Sequence, residues 1–298
     1  MEFILDILLD AVIDSVKILP FLFLTYLLME YLEHKTGELT EKYVQNTEHF
    51  GPLLGGIFGI IPQCGFSAAA SNLYAGRVIT LGTLIAIYLS TSDEMIPLLI
   101  SEHFPVGTMF RILGVKALIG VIAGFIIDFV VHTHHRARGK SADDPMRINE
   151  LCEKEHCHCE EEEDASLVGI AKSAFVHTFH IFLFVLGLTI ILNGVIEVIG
   201  QDNLAALLKA SPVVSHILAG LIGLIPNCAP SVIITQLYLE QMITTGTMMS
   251  GLLVGAGIGL LVLFRVNPER RHNINIAILL FLVGTVSGLL LDLAGISF

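Results

Sequence analysis

Two short polar stretches, each inside an apolar segment, carry residue types that can bind a metal. Each stretch follows a proline and combines an amide, a thiol and a hydroxyl at the same spacing. Their side chains are Gln63, Cys64 and Ser67 in one stretch and Asn227, Cys228 and Ser231 in the other. Thiols suit soft ions or a trivalent metalloid, whereas amide and hydroxyl oxygens suit harder cations. We expect the two stretches to form one pseudo-symmetric substrate site.

These stretches belong to a long internal duplication. Residues 56–83 align with residues 220–247 without a gap, at an offset of 164, and twelve of the 28 positions are identical. Cys64 and Cys228 are repeat mates, and the other cysteines all lie in one central segment. Many secondary transporters consist of two such copies, with the substrate near the bilayer midplane between them. The duplication therefore favours a transporter.

Each stretch is expected to interrupt a membrane-embedded helix. Pro62 and Pro226 remove a backbone donor and clash with the preceding helical turn. Irregular backbone is tolerated at membrane depth only where it is buried in protein or lines a cavity. The helix ends that such a break exposes can bind charged groups. We therefore predict broken or re-entrant helices that surround the substrate.

The composition is that of an all-α polytopic protein of the lipid bilayer. Hydrophobic residues make up 54% of the chain, charged residues only 15%, and the mean hydropathy is +0.76. Apolar runs of the roughly 20 residues needed for a span lie at 7–32, 78–100, 107–131, 168–199, 242–264 and 274–296. The net charge of −12 comes largely from loops and gives no support to nucleic-acid binding.

Loop charges favour an inverted repeat. The connection 101–105 contains no Lys or Arg, whereas its counterpart at 265–271 contains three arginines. Because basic loops stay in the cytoplasm, equivalent loops should face opposite sides of the inner (plasma) membrane. We therefore expect transmembrane repeats at 1–135 and 165–298, joined by a cytoplasmic linker at 136–164. Re-entrant motif segments leave three full crossings in each repeat, which inverts the second one.

Two carboxylates, Asp93 and Glu94, lie inside an otherwise apolar span. Ionisable residues in a span are expensive and usually functional. The second repeat has Gly257 and Ile258 at these positions, so the carboxylates break the symmetry. They are candidates for a proton or cation coupling site. The alternative is that they only cap the end of a span.

The central linker is rich in metal-ligating residues. Its thiols and imidazoles are Cys152, His156, Cys157, His158 and Cys159. Three thiols and two imidazoles can supply a tetrahedral site for zinc or a trithiolate site for arsenite. The spacing matches no standard zinc finger, and a plain solvated connector is the alternative. We expect no cofactor other than a metal ion held by this linker.

The Pro-Gln-Cys and Pro-Asn-Cys segments, the duplicated layout and the His/Cys-rich linker resemble a family of prokaryotic permeases with ten transmembrane segments, associated with arsenic efflux and manganese transport. The likeness covers nearly the whole chain and implies export of a metal or metalloid. More distantly, the chain resembles organoarsenical permeases, in which a cysteine near the helix break is implicated in the substrate path. That resemblance points to Cys64 and Cys228.

Three functions remain open from the sequence. An exporter of arsenite, an organoarsenical or another soft substrate would use the two membrane cysteines. A manganese(II) exporter would use oxygen ligands such as Gln63, Asn227, Asp93, Glu94 and backbone carbonyls. A membrane-embedded enzyme is a remote alternative, because no nucleophile, base and orienting residue stand out. We expect a non-enzymatic secondary active exporter. The sequence leaves open whether it acts alone or as a homodimer.

Overall fold

The computed structural model describes residues 50–61, 64–92, 95–137, 167–199, 212–227 and 229–298, with scattered positions between 12 and 27. All regular elements in these ranges are α-helices, which confirms the all-α prediction. The first five are α1 (Gly51–Gly59), α2 (Cys64–Ala75), α3 (Leu81–Ser90), α4 (Met95–Ser101) and α5 (Val106–Ala137). They are followed by α6 (Leu167–Ile199), α7 (Pro212–Gly223), α8 (Ala229–Leu239), α9 (Thr245–Val254), α10 (Ile258–Val266) and α11 (Arg270–Leu293).

The described residues contain five helical segments that are long and apolar enough to cross a membrane. They are Leu81–Ser101, Val106–Thr133, Ala174–Ile191, Thr245–Val266 and Arg270–Leu293. Each overlaps one of the expected spans, which confirms a polytopic membrane protein. Most of the expected span 7–32 lies outside the described residues. Helices α5 and α11 expose large apolar side chains such as Phe129 and Leu293, as lipid-facing helices do.

The helix boundaries repeat along the chain. Adding 164 to the bounds of α3, residues 81 and 90, gives the bounds of α9, residues 245 and 254. In the same way α1, α2 and α4 correspond to α7, α8 and α10 within a few residues, and α5 and α11 start at equivalent positions, although α11 is shorter at its C-terminal end. In the first half α3 packs against α1 and α5, and in the second half α9 packs against α7 and α11. The duplication therefore extends from sequence to helix packing.

The two central spans differ from the sequence-based expectation, because neither 78–100 nor 242–264 is one continuous helix. Helix α3 ends at Ser90, α9 ends at Val254, and a new helix starts a few residues later in each case. In the second half the chain turns at Gly257, whose φ of 54° lies in the left-handed region that glycine adopts readily. Neither break contains a proline, so the sequence analysis did not predict them.

A row of glycines brings α1 close to α3. Gly51, Gly55 and Gly59 lie four residues apart on one face of α1, and a Cβ on any of them would meet α3. Gly51 faces Thr83 at the start of α3, and Gly59 faces Ser90 at its end, so the two helices run in the same direction. Small residues at this spacing let membrane helices approach closely. Because residues 76–80 join α2 to α3, the α1–α2 hairpin begins and ends near the start of α3.

The two halves contact each other mainly through their short helices. Helix α2 packs against α10, and α8 packs against α4. Ser67 near the start of α2 faces Gly259 near the start of α10, and Tyr74 near its end contacts His272, which follows α10 along the chain. Helices α2 and α10 therefore run in the same direction.

An aspartate fixes the start of each broken central span. Asp128 of α5 accepts hydrogen bonds from Thr80 Oγ1 and the Gly82 backbone N–H, both at 2.7 Å, at the N-terminus of α3. Thr80 also caps α3 by accepting from the Thr83 N–H at 3.1 Å. The repeat mates Asp292, Thr244, Gly246 and Thr247 form the same set at the start of α9. A carboxylate here satisfies free N–H groups and stabilises the helix dipole.

We predict that Gly82→Ala destabilises the protein by about 1–3 kcal/mol, as overpacking does. A Cβ at this position would overlap the Gly124 backbone oxygen and the Asp128 carboxylate, and backbone cannot yield easily. Gly114→Ala is the control, because nothing lies within 4 Å of a Cβ there, and alanine favours a helix by about 1 kcal/mol. The measurement is the thermal unfolding of both variants in detergent. Equal melting temperatures for both variants would contradict the close packing of α3 on α5.

Candidate functional site

Several predicted ligands lie outside the described residues, and their geometry stays a prediction. They are Gln63, Cys228, Asp93, Glu94 and the linker residues Cys152, His156, Cys157, His158 and Cys159. Cys64 is described only as the first residue of α2. Among the residues that are described, no three His, Cys, Asp or Glu side chains gather into a cluster.

Ser67 lies where α2 packs closely against α10 of the other half. It is fully buried, and a Cβ on Gly259 of α10 would lie only 2.7 Å from the Ser67 Cβ. One turn later, Ser71 Oγ lies 2.6 Å from the Gly259 carbonyl oxygen, 2.7 Å from the Ser67 carbonyl oxygen and 2.7 Å from Tyr88 Oη. A hydroxyl donates one hydrogen, so Tyr88 donates to Ser71 while Ser71 donates to a carbonyl. This buried polar cluster joins α2, α3 and α10.

Asn72, beside this cluster, was not predicted from the sequence. Its side chain is fully buried, and its Oδ1 accepts a hydrogen bond from Tyr26 Oη at 3.1 Å. Its Nδ2 group has no acceptor among the described residues. The sequence did offer a signal for Asn72, which is an amide directly after Ser71 in an otherwise apolar helix.

In the second half, Asn227 has a clear structural role. The side chain is buried, and its Oδ1 accepts from the Ala229 N–H at 3.3 Å, which caps the start of α8. Ser231 is half-buried, and its Oγ would lie 3.5 Å from a Cβ on Gly255. The break between α7 and α8 therefore lies beside the break between α9 and α10.

Lys116 of α5 is a buried charged residue that the sequence interpretation missed. It is fully buried in the middle of the span Val106–Thr133. Its Nζ donates to the Thr91 carbonyl oxygen and, at 3.0 Å, to the Leu252 carbonyl oxygen. A lone lysine in an apolar run was the signal that could have identified it.

The two acceptors of Lys116 come from different halves. Thr91 is the C-cap of α3, and Leu252 lies in the last turn of α9. The carbonyls of a helix C-terminus lack intrahelical partners and carry partial negative charge. Lys116 therefore joins the C-terminal ends of both interrupted central helices.

A second buried chain of polar groups occurs in the second half alone. His216 is buried, with Nδ1 at 2.9 Å from Ser250 Oγ and Nε2 at 3.3 Å from Asp292 Oδ2. In the first half Pro52 and Ala86 replace His216 and Ser250. This Ser–His–Asp order gives little support to a hydrolase, because Ser250 is fully buried and Asp292 already caps α9. The chain connects α7, α9 and α11.

The described residues also form a cavity of about 580 Å³ at the end of α8. Phe104, Tyr238, Asp292 and Phe298 are among the residues that line it. Its lining includes neither Lys116 nor the residues at the helix breaks. We therefore base the candidate site on the breaks and their buried polar groups.

A comparison with protein families gives one match. A family model described as "Putative, 10TM heavy-metal exporter" matches residues 2–199, which span the first half, the linker and α6. No curated protein and no solved structure matches the chain.

We predict that Ser71→Ala lowers the free energy of unfolding by about 1–3 kcal/mol, the usual cost of leaving a buried polar group unpaired. The change leaves Tyr88 Oη and the Gly259 carbonyl without their partner. Ser101→Ala is the matched control, because Ser101 is exposed and bonds only within its own helix turn. The measurement is unfolding in detergent.

A double variant tests this pairing further. Adding Tyr88→Phe to Ser71→Ala removes the orphaned hydroxyl and should recover part of the lost stability. Strictly additive losses would show that the two hydroxyls do not interact.

Proposed function

The chain belongs to this family of ten-transmembrane heavy-metal exporters, and from that premise we propose that it is a secondary active transporter of a metal or metalloid. The substrate would cross between the two halves, at a pseudo-symmetric site near the bilayer midplane. The main support is that interrupted helices from both halves meet in the protein interior. Such breaks are tolerated in a membrane where they are buried or line a cavity.

An inverted arrangement of the two halves is part of this proposal. Helix α1 runs parallel to α3. Helix α2 leads from the end of α1 back to the start of α3, so α2 runs antiparallel to α3. Helix α2 in turn runs parallel to α10, which continues the span that α9 begins. These directions support opposite orientations for the repeat mates α3 and α9. The α1–α2 hairpin would then be re-entrant, and counting each hairpin as two segments gives ten.

We propose the domain boundaries and location on the same basis. Repeats 1–135 and 165–298 would lie in the inner membrane, with the linker 136–164 in the cytoplasm. Arg265 at the end of α10 and Arg270 and Arg271 at the start of α11 support this orientation, because basic residues near span ends favour the cytoplasmic side. Export would follow alternating access, as one half rocks against the other, and Asp93 or Glu94 would couple it to a proton or cation gradient.

Two ligand sets compete for the substrate. In one, Cys64 and Cys228 bind a soft ion or a trivalent arsenical through their thiols. In the other, manganese(II) is bound through oxygen from Gln63, Asn227, Asp93, Glu94 and backbone carbonyls, with Ser67 and Ser231 beside them in the substrate site. Asn227 Oδ1 already accepts a helix-capping hydrogen bond, so as a ligand it would have to share or release that contact. The thiol set therefore leads, with manganese as the alternative and a membrane-embedded enzyme as a remote one.

Replacing both membrane cysteines distinguishes these ligand sets. We expect Cys64→Ser/Cys228→Ser to abolish transport of arsenite and a trivalent organoarsenical in inside-out vesicles, because serine oxygen binds soft centres poorly. Manganese(II) and zinc(II) are measured in parallel, with Ser101→Ala at an exposed position of α4 as the control variant. Intact transport of every substrate by the double variant would exclude the thiol site. No transport of any of the four by the wild type would overturn the export proposal.

We propose that the linker binds metal and delivers it to the membrane path. Replacing Cys152, Cys157 and Cys159 together by Ser is expected to remove about one zinc ion per chain, because too few sulfur and nitrogen ligands remain for a tetrahedral site. Equilibrium dialysis of the full chain provides the measurement. Transport should continue at reduced rate, and an unchanged zinc stoichiometry would leave the linker as a plain connector.

A further inference from the structure

Lys116 occupies a position that normally excludes charge. The side chain is fully buried in a membrane span, and its repeat mate is the apolar Leu280. Charged groups at membrane depth are costly, and they are retained where they pair with other groups on a substrate or ion path. Packing alone does not require a lysine here, since the equivalent place in the second half is filled by leucine.

The Lys116 ammonium group lies where a free cation could also bind. The Thr91 and Leu252 carbonyl oxygens both accept from its Nζ, one from the end of α3 and one from the end of α9. Backbone carbonyls at broken helices coordinate cations in membrane transporters. Oxygen ligands of this kind favour hard cations such as manganese(II) over soft ones.

We propose that the Thr91 and Leu252 carbonyl oxygens form a cation site that the Lys116 ammonium group and the exported metal cation occupy in turn. This inference rests on the proposed export function and favours its manganese alternative, a divalent cation bound by oxygen, over the thiol set. Without metal, the ammonium group satisfies the carbonyls. An arriving divalent cation repels the ammonium group and displaces it, and the return of the ammonium group expels the metal.

This exchange explains why one lysine serves both halves. The ends of α3 and α9 come from opposite halves, so any cation between them stabilises the arrangement in which the two ends meet. A tethered ammonium group keeps the arrangement intact when no metal is bound. No bond is formed or broken, and no electron is transferred.

The test measures manganese(II) binding to the purified full chain in detergent, for wild type, Lys116→Gln, Lys116→Arg and Arg111→Gln. Removing the competing charge should tighten binding to Lys116→Gln by about tenfold or more, because like charges at contact distance repel strongly. Lys116→Arg should keep the wild-type affinity. Arg111 is exposed on the same helix, so Arg111→Gln is the matched control. Unchanged or weaker binding to a folded Lys116→Gln would overturn the proposal.

Transport kinetics distinguish the proposed exchange between Lys116 and the metal from a purely structural role of Lys116. In vesicles, Lys116→Gln should show a lower KM for manganese(II) and a turnover at least about tenfold lower, since tighter binding slows release. A structural role would lower the amount of folded protein and leave the KM unchanged. That result would contradict the exchange.

Labelling of the wild type covers the case in which Lys116→Gln does not fold. A membrane-permeant amine-reactive reagent should modify Lys116 more when manganese(II) is present, as measured by mass spectrometry against the other lysines. Equal labelling of Lys116 with and without manganese(II) would refute displacement.

The outcomes also separate this inference from the proposed export function. If wild-type vesicles export no metal but Lys116→Gln binds manganese(II) tightly, the export function fails and the cation site stands. If export is present while neither binding nor labelling responds, the cation site fails and export stands.

Discussion

The structure depends on one constraint, which is that a backbone group inside a bilayer must find its hydrogen-bond partner within the protein. Four helix interruptions lie in the two halves, where α1, α3, α7 and α9 end. Side chains satisfy several of the groups that these interruptions release. Asn227 caps the start of α8, and Lys116 bonds to carbonyl oxygens at the ends of α3 and α9. The interrupted helices are therefore held at the centre, while α5 and α11 face outward.

The sequence was sufficient for the fold class and the repeat, because long apolar runs and a 164-residue offset are strong signals. It also indicated an interruption before α2 and before α8, since proline acts on its own backbone regardless of its surroundings. It did not reveal the breaks after Ser90 and Val254, the second of which turns at Gly257 in the left-handed region. Lys116 was missed because its carbonyl partners come from residues 25 and 136 positions away in the chain.

The two halves have equivalent helices but differ in their buried polar groups. The Asp128 and Asp292 caps are equivalent, whereas Lys116 corresponds to Leu280 and His216 corresponds to Pro52. Equivalent helices therefore provide a symmetric frame, and single-copy side chains provide different chemistry on each side. A transport cycle with two dissimilar end states is compatible with this division, because each half presents different groups to the path.

The packing of α2 on α10 and of α8 on α4 has a consequence for the origin of the protein. These two pairs join the opposite halves, although α8 also packs against α9 in its own half, so the interior is built from helices of both halves. Under the proposed inverted arrangement, a half-length ancestor would have needed a second copy of itself in the opposite orientation to form these contacts. Gene fusion would then have fixed a pair that already existed in the membrane, and it would have freed each copy to diverge, as the single lysine at position 116 illustrates.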